Sequence, residues 1–264
     1  MHPLNWTVET KQSATSTSDL AKQAALEGAP HGSGYLAIEQ TAGRGRRGRH
    51  WSSLEGGMYL SVLLRPEVEK KFWFVLSFAA SLAVLYTVRE QLEKHFDVND
   101  MPKIGVKWPN DVMMAGGKIA GILLESEGQA LIVGSGINIA PVREKSFRAS
   151  NYQAPPNALI VPMALADVWP QTAEDLPSPH QLARSYMTHL AYWYSEFESD
   201  GFAGIRNAWL SNALFLGKTL SVQRGRSKIS GIFLDLSWDG ALILLDDSGE
   251  THHISTGDVK LVDR

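Results

Sequence analysis

The sequence predicts an α+β protein, in which a mixed or antiparallel sheet with helices on one side precedes a small C-terminal β-barrel. Three observations predict this fold class. A long apolar helix begins near Lys71, and short apolar segments separated by tight-turn residues follow it. From Gly217 onward, turn signals recur about every ten residues, which is typical of a small barrel. We therefore expect two domains, formed by residues 1–214 and 215–264.

The sequence predicts one helix and two strands in its first 65 residues. The stretch Ser16–Asp19 before the run LAKQAALEG predicts a capped helix start, and Gly28 lies near the end of that helix. The strands are predicted over Tyr35–Gln40 and Met58–Arg65, and Pro66 ends the second. The chain between these two strands is rich in arginine and glycine.

The apolar helix is predicted over Lys71–His95. Its central part, FWFVLSFAASLAVLYTV at residues 72–88, is shorter than the roughly 20 residues of a membrane span, and serine and threonine interrupt it. A helix that is apolar on every face is typical of a protein core. We therefore expect a buried helix and no association with a membrane.

Four short strands and two further helices are predicted after it. The strands are Gly105–Lys107, Asp111–Met114, Lys118–Ser126 and Gln129–Ile139. Gly116–Gly117 and Glu127–Gly128 supply the tight turns between the later strands. The segment Ala140–Pro156 is predicted to be a loop, and the helices cover Pro179–Ser199 and Phe202–Asn212.

Charge and composition exclude several classes of function. A net charge of −3 over 264 residues gives no general attraction for nucleic acid, so any basic function must be local. The absence of cysteine excludes disulfides and thioester intermediates and is compatible with the cytoplasm. The start, Met1–Lys11, lacks the apolar core of a secretory signal. No histidine pair has zinc-site spacing, and no residue is assigned from these patterns as a direct metal ligand.

The run GRGRRGRHW, Gly43–Trp51, is the most informative stretch of the chain. Glycine allows a backbone to wrap closely around a ligand, and each arginine offers a planar fork of donors for carboxylate or phosphate oxygens. The run contains G-x-G-x-x-G, but more loop and a strand follow it instead of a helix, which excludes a dinucleotide fingerprint. The run therefore predicts a lid that closes over an anionic ligand.

Three downstream motifs support an enzyme that activates a carboxylic acid with ATP. Lys107 precedes Trp108–Pro109, where a fixed ammonium group would stabilise charge developing on an oxygen. KIAGILL at 118–124 and GSGIN at 134–138 place glycines in strands, which indicates either close packing or a flat surface for a ligand.

The motifs and their order along the chain resemble those of biotin protein ligases. The resemblance extends from about Ser16 to the C-terminus and is most specific in GRGRRGRHW and KWPND. The resemblance implies a class II synthetase-like, biotin/lipoate ligase-like fold with an SH3-like C-terminal barrel. It implies that biotin and ATP, with Mg²⁺, are joined as biotinyl-5′-AMP. It also implies transfer of biotin to a lysine of the biotin carboxyl carrier domain of a biotin-dependent carboxylase, in the cytoplasm.

The resemblance assigns the biotin-binding residues position by position. Ser16, Thr17 and Ser18 match the family's Ser-Thr-Asn, which lines the biotin ring pocket, with serine in place of asparagine at the third position. Gln40 matches the glutamine before the lid. Lys107 matches the lysine that contacts the biotin carboxyl group and then the adenylate carbonyl.

The lid residues are assigned in the same way. Arg44, Gly45 and Arg46 match the part that contacts biotin and the adenylate, and Arg47 and Arg49 match the part that faces phosphate. Arg44 and Arg46 are thereby expected to contact ATP as well as biotin, and Arg46 joins Lys107 as a catalytic residue.

Asn138 resembles the asparagine on the phosphate or magnesium side. The loop that covers adenine is expected within Ala140–Pro156. Some family members carry an N-terminal DNA-binding domain. Only about 15 residues precede Ser16, so no DNA binding is expected, and a homodimer is compatible with the resemblance.

Two alternatives stay open. A relative that handles lipoate or octanoate would share the architecture, although the hydrogen-bonding groups of Ser16, Thr17 and Gln40 favour the ureido group of biotin over an alkyl chain. A nucleic-acid-binding module would use the arginine loop and would bind oligonucleotides in a salt-dependent way.

Overall fold

The computed structural model describes residues 6–53, 55–140, 161–170, 176–224 and 227–262. A seven-stranded mixed sheet, ordered β1-β2-β3-β7-β6-β5-β4, forms the centre of the N-terminal part of the fold. Its strands are Thr7–Ala14 (β1), Ser33–Gln40 (β2), Gly57–Leu64 (β3), Ile104–Lys107 (β4), Asp111–Met114 (β5), Gly117–Glu127 (β6) and Ala130–Asn138 (β7). Only β1 and β2 are parallel neighbours. The predicted α+β fold class is confirmed.

Strand β1 was not predicted from the sequence. Its segment TVETKQSA is polar and almost wholly exposed, so it has none of the apolar alternation that marks a half-buried strand. Backbone pairing with β2, from Thr7 opposite Ser33 to Ala14 opposite Gln40, makes it an edge strand.

Four α-helices accompany the sheet in the described ranges. They are Thr17–Leu26 (α1), Leu76–Leu92 (α2), Pro179–Asp200 (α3) and Ala203–Ser211 (α4). A 3₁₀ segment, Lys70–Val75, leads into α2. Within the described residues Lys70–Leu92 is the one stretch with the length and apolar character of a membrane span, and 78% of its most apolar window is buried inside the fold. This burial agrees with the predicted core helix.

The sequence predicted helices on one side of the sheet only. In the structure they lie on both sides. Leu60 and Val62 of β3 belong to the main core, which contains α2 and α3. Leu63 points the other way and packs with Ala21 of α1 and Ile132 of β7 in a smaller core. Because β3 is buried along its whole length, both of its faces need cover, and α1 supplies it on the second face.

The C-terminal strands form an antiparallel sheet in the order β11-β10-β9-β8-β12. They are Thr219–Arg224 (β8), Ser227–Leu236 (β9), Leu242–Leu245 (β10), Thr251–Ile254 (β11) and Asp258–Leu261 (β12). In the part of the chain that the structure describes, β11 and β12 pair on one side only, so the predicted barrel is an open sheet here. The buried Trp108 indole donates to the Gly240 carbonyl at 3.0 Å, which fixes this sheet against the KWPND segment.

Candidate active site

A buried cluster of hydroxyl groups surrounds the start of α1. Ser16 is the N-cap, and its Oγ accepts from the Ser18 backbone N–H at 3.3 Å. Thr17 Oγ1 lies 2.8 Å from Ser61 Oγ, and Ser18 Oγ lies 3.3 Å from the same atom. All four side chains are buried. The three predicted pocket residues are therefore brought together.

Ser61 belongs to this cluster and was missed in the sequence. It is fully buried on β3, in the run GMYLSVLL. A serine in the middle of an otherwise apolar strand was the available signal, because a buried hydroxyl requires a hydrogen-bonding partner. Its partner is on another element, which the sequence could not indicate.

Gln40 connects the hydroxyl cluster to both ends of the arginine loop. Its Oε1 accepts from the Thr17 backbone N–H at 2.8 Å and from Thr17 Oγ1 at 3.1 Å. Its Nε2 donates to Ser53 Oγ at 2.7 Å, and its backbone N–H donates to the Ser53 carbonyl at 3.0 Å. Gln40 thus contacts the hydroxyl cluster directly before the arginine loop, while the contact with Ser53 had no signal in the sequence.

The arginine loop is a compact turn between these ends. The Trp51 N–H donates to the Gly43 carbonyl at 2.9 Å, and the Gly45 N–H donates to the Arg49 carbonyl at 2.7 Å. A Cβ at Gly43 would lie 2.4 Å from Ser53 Oγ, so only glycine fits there. The glycines of the motif thus serve to fold the loop on itself.

Carboxylates hold three of the four loop arginines. Arg44 forms a paired hydrogen bond to Asp19, at 2.9 and 2.6 Å. Arg47 and Arg49 both reach Asp258 at the start of β12, at 2.8 and 3.1 Å. The loop therefore lies between α1 and the C-terminal sheet.

Arg46 is the exception, since an amide is its hydrogen-bonding partner. Its Nη1 donates to Asn110 Oδ1 at 3.1 Å, within the KWPND segment. Burial lowers the pKa of Arg46, and the charge of Arg47 adds to that effect. A half-buried guanidinium whose direct side-chain partner is an amide is suited to an anionic ligand.

Lys107 ends β4 and lies opposite Asp111 of β5. Its side chain is buried, and burial lowers the pKa of the ammonium group, while the charge of Asp111 opposes this. Asp111 also forms an ion pair with Lys118 Nζ at 2.5 Å. The site therefore contains a second lysine, whose motif was noted in the sequence without a role.

One strand glycine from each of the two downstream motifs, Gly121 and Gly136, lies beneath Trp51. A Cβ at Gly136 would lie 2.7 Å from Trp51 Nε1, and one at Gly121 would lie 3.1 Å from Trp51 Cζ3. Lys118 Nζ lies 5.3 Å from the centre of a Trp51 ring, within cation–π range. The loop's own aromatic residue thus packs on these glycines, and both interpretations of the two motifs stay open.

Asn138 ends β7 and is buried. Its Nδ2 donates to the Met163 carbonyl at 3.0 Å, which fixes the chain at residues 161–163 against the sheet. The adenine-covering loop is predicted within Ala140–Pro156, and all of this segment except Ala140 lies outside the described residues.

Comparison with known proteins identifies the family. Residues 10–140 match the Biotin/lipoate A/B protein ligase family, and residues 215–262 match the Biotin protein ligase C terminal domain. The chain is 36% identical over 240 residues to a biotin–[acetyl-CoA-carboxylase] ligase from Paracoccus denitrificans, and the match covers 88% of this chain and 93% of the relative.

Solved structures agree with this assignment. A biotin protein ligase from Aquifex aeolicus in complex with biotin and ATP is 26% identical and superposes with a TM-score of 0.77, covering 97% of this chain and 99% of that one. A biotin protein ligase from Leishmania major in complex with biotinyl-5-AMP is also 26% identical, with a TM-score of 0.64, covering 96% and 100% of the two chains. The predicted resemblance is confirmed: the chain belongs to the Biotin/lipoate A/B protein ligase family and, within it, to the biotin protein ligases.

Proposed function

We propose that the protein activates biotin with ATP as biotinyl-5′-AMP and transfers biotin to a lysine of a carboxylase carrier domain. The observation that carries this proposal is the convergence of a buried hydroxyl cluster, a buried lysine and an arginine loop in one site. Family membership and the relative from Paracoccus denitrificans support the same reaction.

The hydroxyl cluster is the proposed pocket for the biotin ring. The ureido group of biotin has one carbonyl acceptor and two N–H donors, and a hydroxyl can donate or accept. Ser16, Thr17, Ser18 and Ser61 are buried, so their hydrogen bonds to the ring would be made away from water. Gln40 orients Thr17 through its backbone and side chain.

Activation requires a carboxylate to approach a triphosphate, and these anions repel. Lys107 neutralises the carboxylate, and Arg46 neutralises the phosphate that it attacks. A carboxylate oxygen forms a bond to the α-phosphorus while the bond to the bridging oxygen breaks, and pyrophosphate leaves. Arg44, Gly45, Arg47 and Arg49 form the rest of the lid, which excludes water from the mixed anhydride.

Mg²⁺ would accompany ATP and neutralise its phosphates. Asn138 is the proposed group on that side of the site. Its Nδ2 is used by a backbone carbonyl, and the oxygen of the amide is the type of ligand that Mg²⁺ and its hydration shell accept.

Transfer follows without an enzyme nucleophile, which fits a chain that has no cysteine. The neutral lysine amine of the carrier attacks the carbonyl carbon of the adenylate and a C–N bond forms. AMP leaves with the electrons of the C–O bond, and the nitrogen loses one proton to solvent. Lys107 stabilises the negative charge that develops on the carbonyl oxygen.

The division into residues 1–214 and 215–264 and a cytoplasmic location are part of the same proposal. The match of residues 215–262 to a separate C-terminal family model supports the division. DNA binding is not part of it: three of the four loop arginines already pair with Asp19 or Asp258, which reduces the charge available to a nucleic acid.

The test is biotin-dependent exchange of labelled pyrophosphate into ATP, with Mg²⁺ and purified protein. We expect exchange with biotin and none with lipoate or octanoate, followed by biotin transfer to a carrier domain. Exchange with lipoate or octanoate instead of biotin would show that the protein activates one of those acids, as a lipoate- or octanoate-handling relative does. Folded protein that exchanges with none of the three acids would contradict the proposed function.

A further inference from the structure

Arg44 is bound to the helix that forms the ring pocket. Asp19 follows Ser18 directly, in the first turn of α1, and presents both carboxylate oxygens to the two terminal nitrogens of Arg44 at 2.9 and 2.6 Å. In this bidentate geometry both terminal nitrogens of the guanidinium donate to the same carboxylate. Arg44 is therefore directed at the protein, whereas Arg46 has only an amide partner.

A second carboxylate reinforces the same contact. Glu125 of β6 lies 3.6 Å from the Arg44 guanidinium and forms an ion pair with Lys22 of α1 at 2.5 Å. Lys22 and Glu125 are each about a quarter exposed or less, so solvent screens this cluster less than it screens the outer loop. Arg44 is thus held between two anions, Asp19 on α1 and Glu125 on β6.

The first turn of α1 contacts the loop at two successive points. Thr17 holds Gln40, which lies just before the loop, and Asp19 holds Arg44 within it. The neutral contact fixes where the loop begins, and the charged contact fixes the direction in which it leaves the sheet. The same helical turn contributes Ser16, Thr17 and Ser18 to the hydroxyl cluster.

We propose that Asp19 is a positioning residue for the lid: it holds Arg44, and with it the first arm of the arginine loop, against the ring pocket so that the loop closes over the activated acid. Arg44 then contributes to retention of the adenylate by anchoring the loop to α1. This inference rests on the proposed function, because the retained species is the acyl-adenylate.

The experiment measures the rate at which preformed biotinyl-adenylate leaves the protein, by rapid dilution into unlabelled biotin and ATP. Asp19→Asn keeps the shape of the side chain and removes its charge. We expect release about 3- to 10-fold faster, with the maximal rate of pyrophosphate exchange within about twofold of wild type. Asp235→Asn is the matched control, since it breaks an Asp–Arg pair with Arg206 that is away from the loop; its release rate should equal that of wild type.

A double-mutant cycle with Arg44→Gln separates positioning from a merely structural effect. If Asp19 acts through Arg44, the double variant releases the adenylate no faster than the faster single variant. Additive effects, or an unchanged release rate in Asp19→Asn, would overturn the inference.

Arg44→Lys tests the same contact if Asp19→Asn folds poorly. This variant keeps the positive charge and loses the planar fork, so we expect the adenylate to leave faster than from wild type. A wild-type release rate would overturn the inference. A wild-type protein without pyrophosphate exchange would contradict the proposed function itself, so the two failures are distinguishable.

Discussion

Trp51 packs directly on the backbone of Gly136: a Cβ built on that glycine would lie 2.7 Å from the indole Nε1. The contact joins the last residue of the arginine loop to the centre of the sheet. Gly121 on the neighbouring strand meets the same ring, so two glycines that lie opposite each other in the β6–β7 pairing form one seat for the indole.

Gly136→Ala should therefore displace the loop. The added methyl group cannot coexist with the present position of Trp51, and overpacking of this kind costs about 1–3 kcal/mol. We expect a lower melting temperature and faster release of the adenylate. Gly204→Ala is the control, because its nearest neighbour lies 3.7 Å away. Unchanged release by Gly136→Ala would mean that the seat of Trp51 has no part in lid closure.

Lys107→Ala should abolish most of the adenylation activity and leave the fold intact. It removes the ammonium group proposed to stabilise charge on the reacting carboxyl group, and loss of one such group costs about 100-fold or more in rate. The measurement is pyrophosphate exchange, with circular dichroism as the check on folding. Lys103→Ala, at an exposed position just before β4, is the control. Near-normal turnover of Lys107→Ala would remove this residue from the proposed mechanism.

The burial of Lys107 also predicts how the rate of pyrophosphate exchange changes at alkaline pH. Because burial lowers its pKa, the ammonium group loses its proton at a lower pH than that of an exposed lysine. Exchange should consequently decline as the pH rises towards the ordinary range of lysine. In Lys107→Arg the guanidinium stays charged, so whatever activity that variant retains should decline only at higher pH. Identical profiles for the two proteins would assign the decline to another group.

Arg46→Gly should release the adenylate early. The variant loses the half-buried guanidinium and its contact with Asn110, and it gains backbone freedom in the loop. We expect biotin on bystander lysines of an added protein, detected by blotting, in amounts well above those of wild type. Arg184→Ala, on the exposed side of α3, should behave as wild type does. If bystander labelling by Arg46→Gly equalled that of wild type, the lid would not be what retains the intermediate.

Asp258→Asn removes the carboxylate shared by Arg47 and Arg49. All three side chains are about half exposed, so the loss in the free energy of unfolding should stay below about 1 kcal/mol. A denaturant titration of the variant and wild type at low and at high salt measures it, and the difference between the two proteins should shrink at high salt. A loss that is large and independent of salt would indicate that this contact does more than join two charged surfaces.

The elements with strong local signals were predictable. The apolar helix, the glycine turns between the later strands and the capped start of α1 all rest on residues close together in the chain. The same is true of GRGRRGRHW and KWPND, whose residue types indicate an anion-binding loop and a fixed lysine. Strand β1 was missed for the converse reason, since its polar segment becomes a strand only through pairing with β2.

By itself, then, the sequence determined the fold class and the family and indicated the residue types of the proposed site, because periodicity, turn chemistry and motif spacing are local properties. Only the tertiary structure decided which partners those residues have. Thr17 meets Ser61 across 44 positions, and Arg47 meets Asp258 across 211. Such contacts depend on how the elements pack, and packing decided that α1 covers the second face of β3 and that Asp19 holds Arg44.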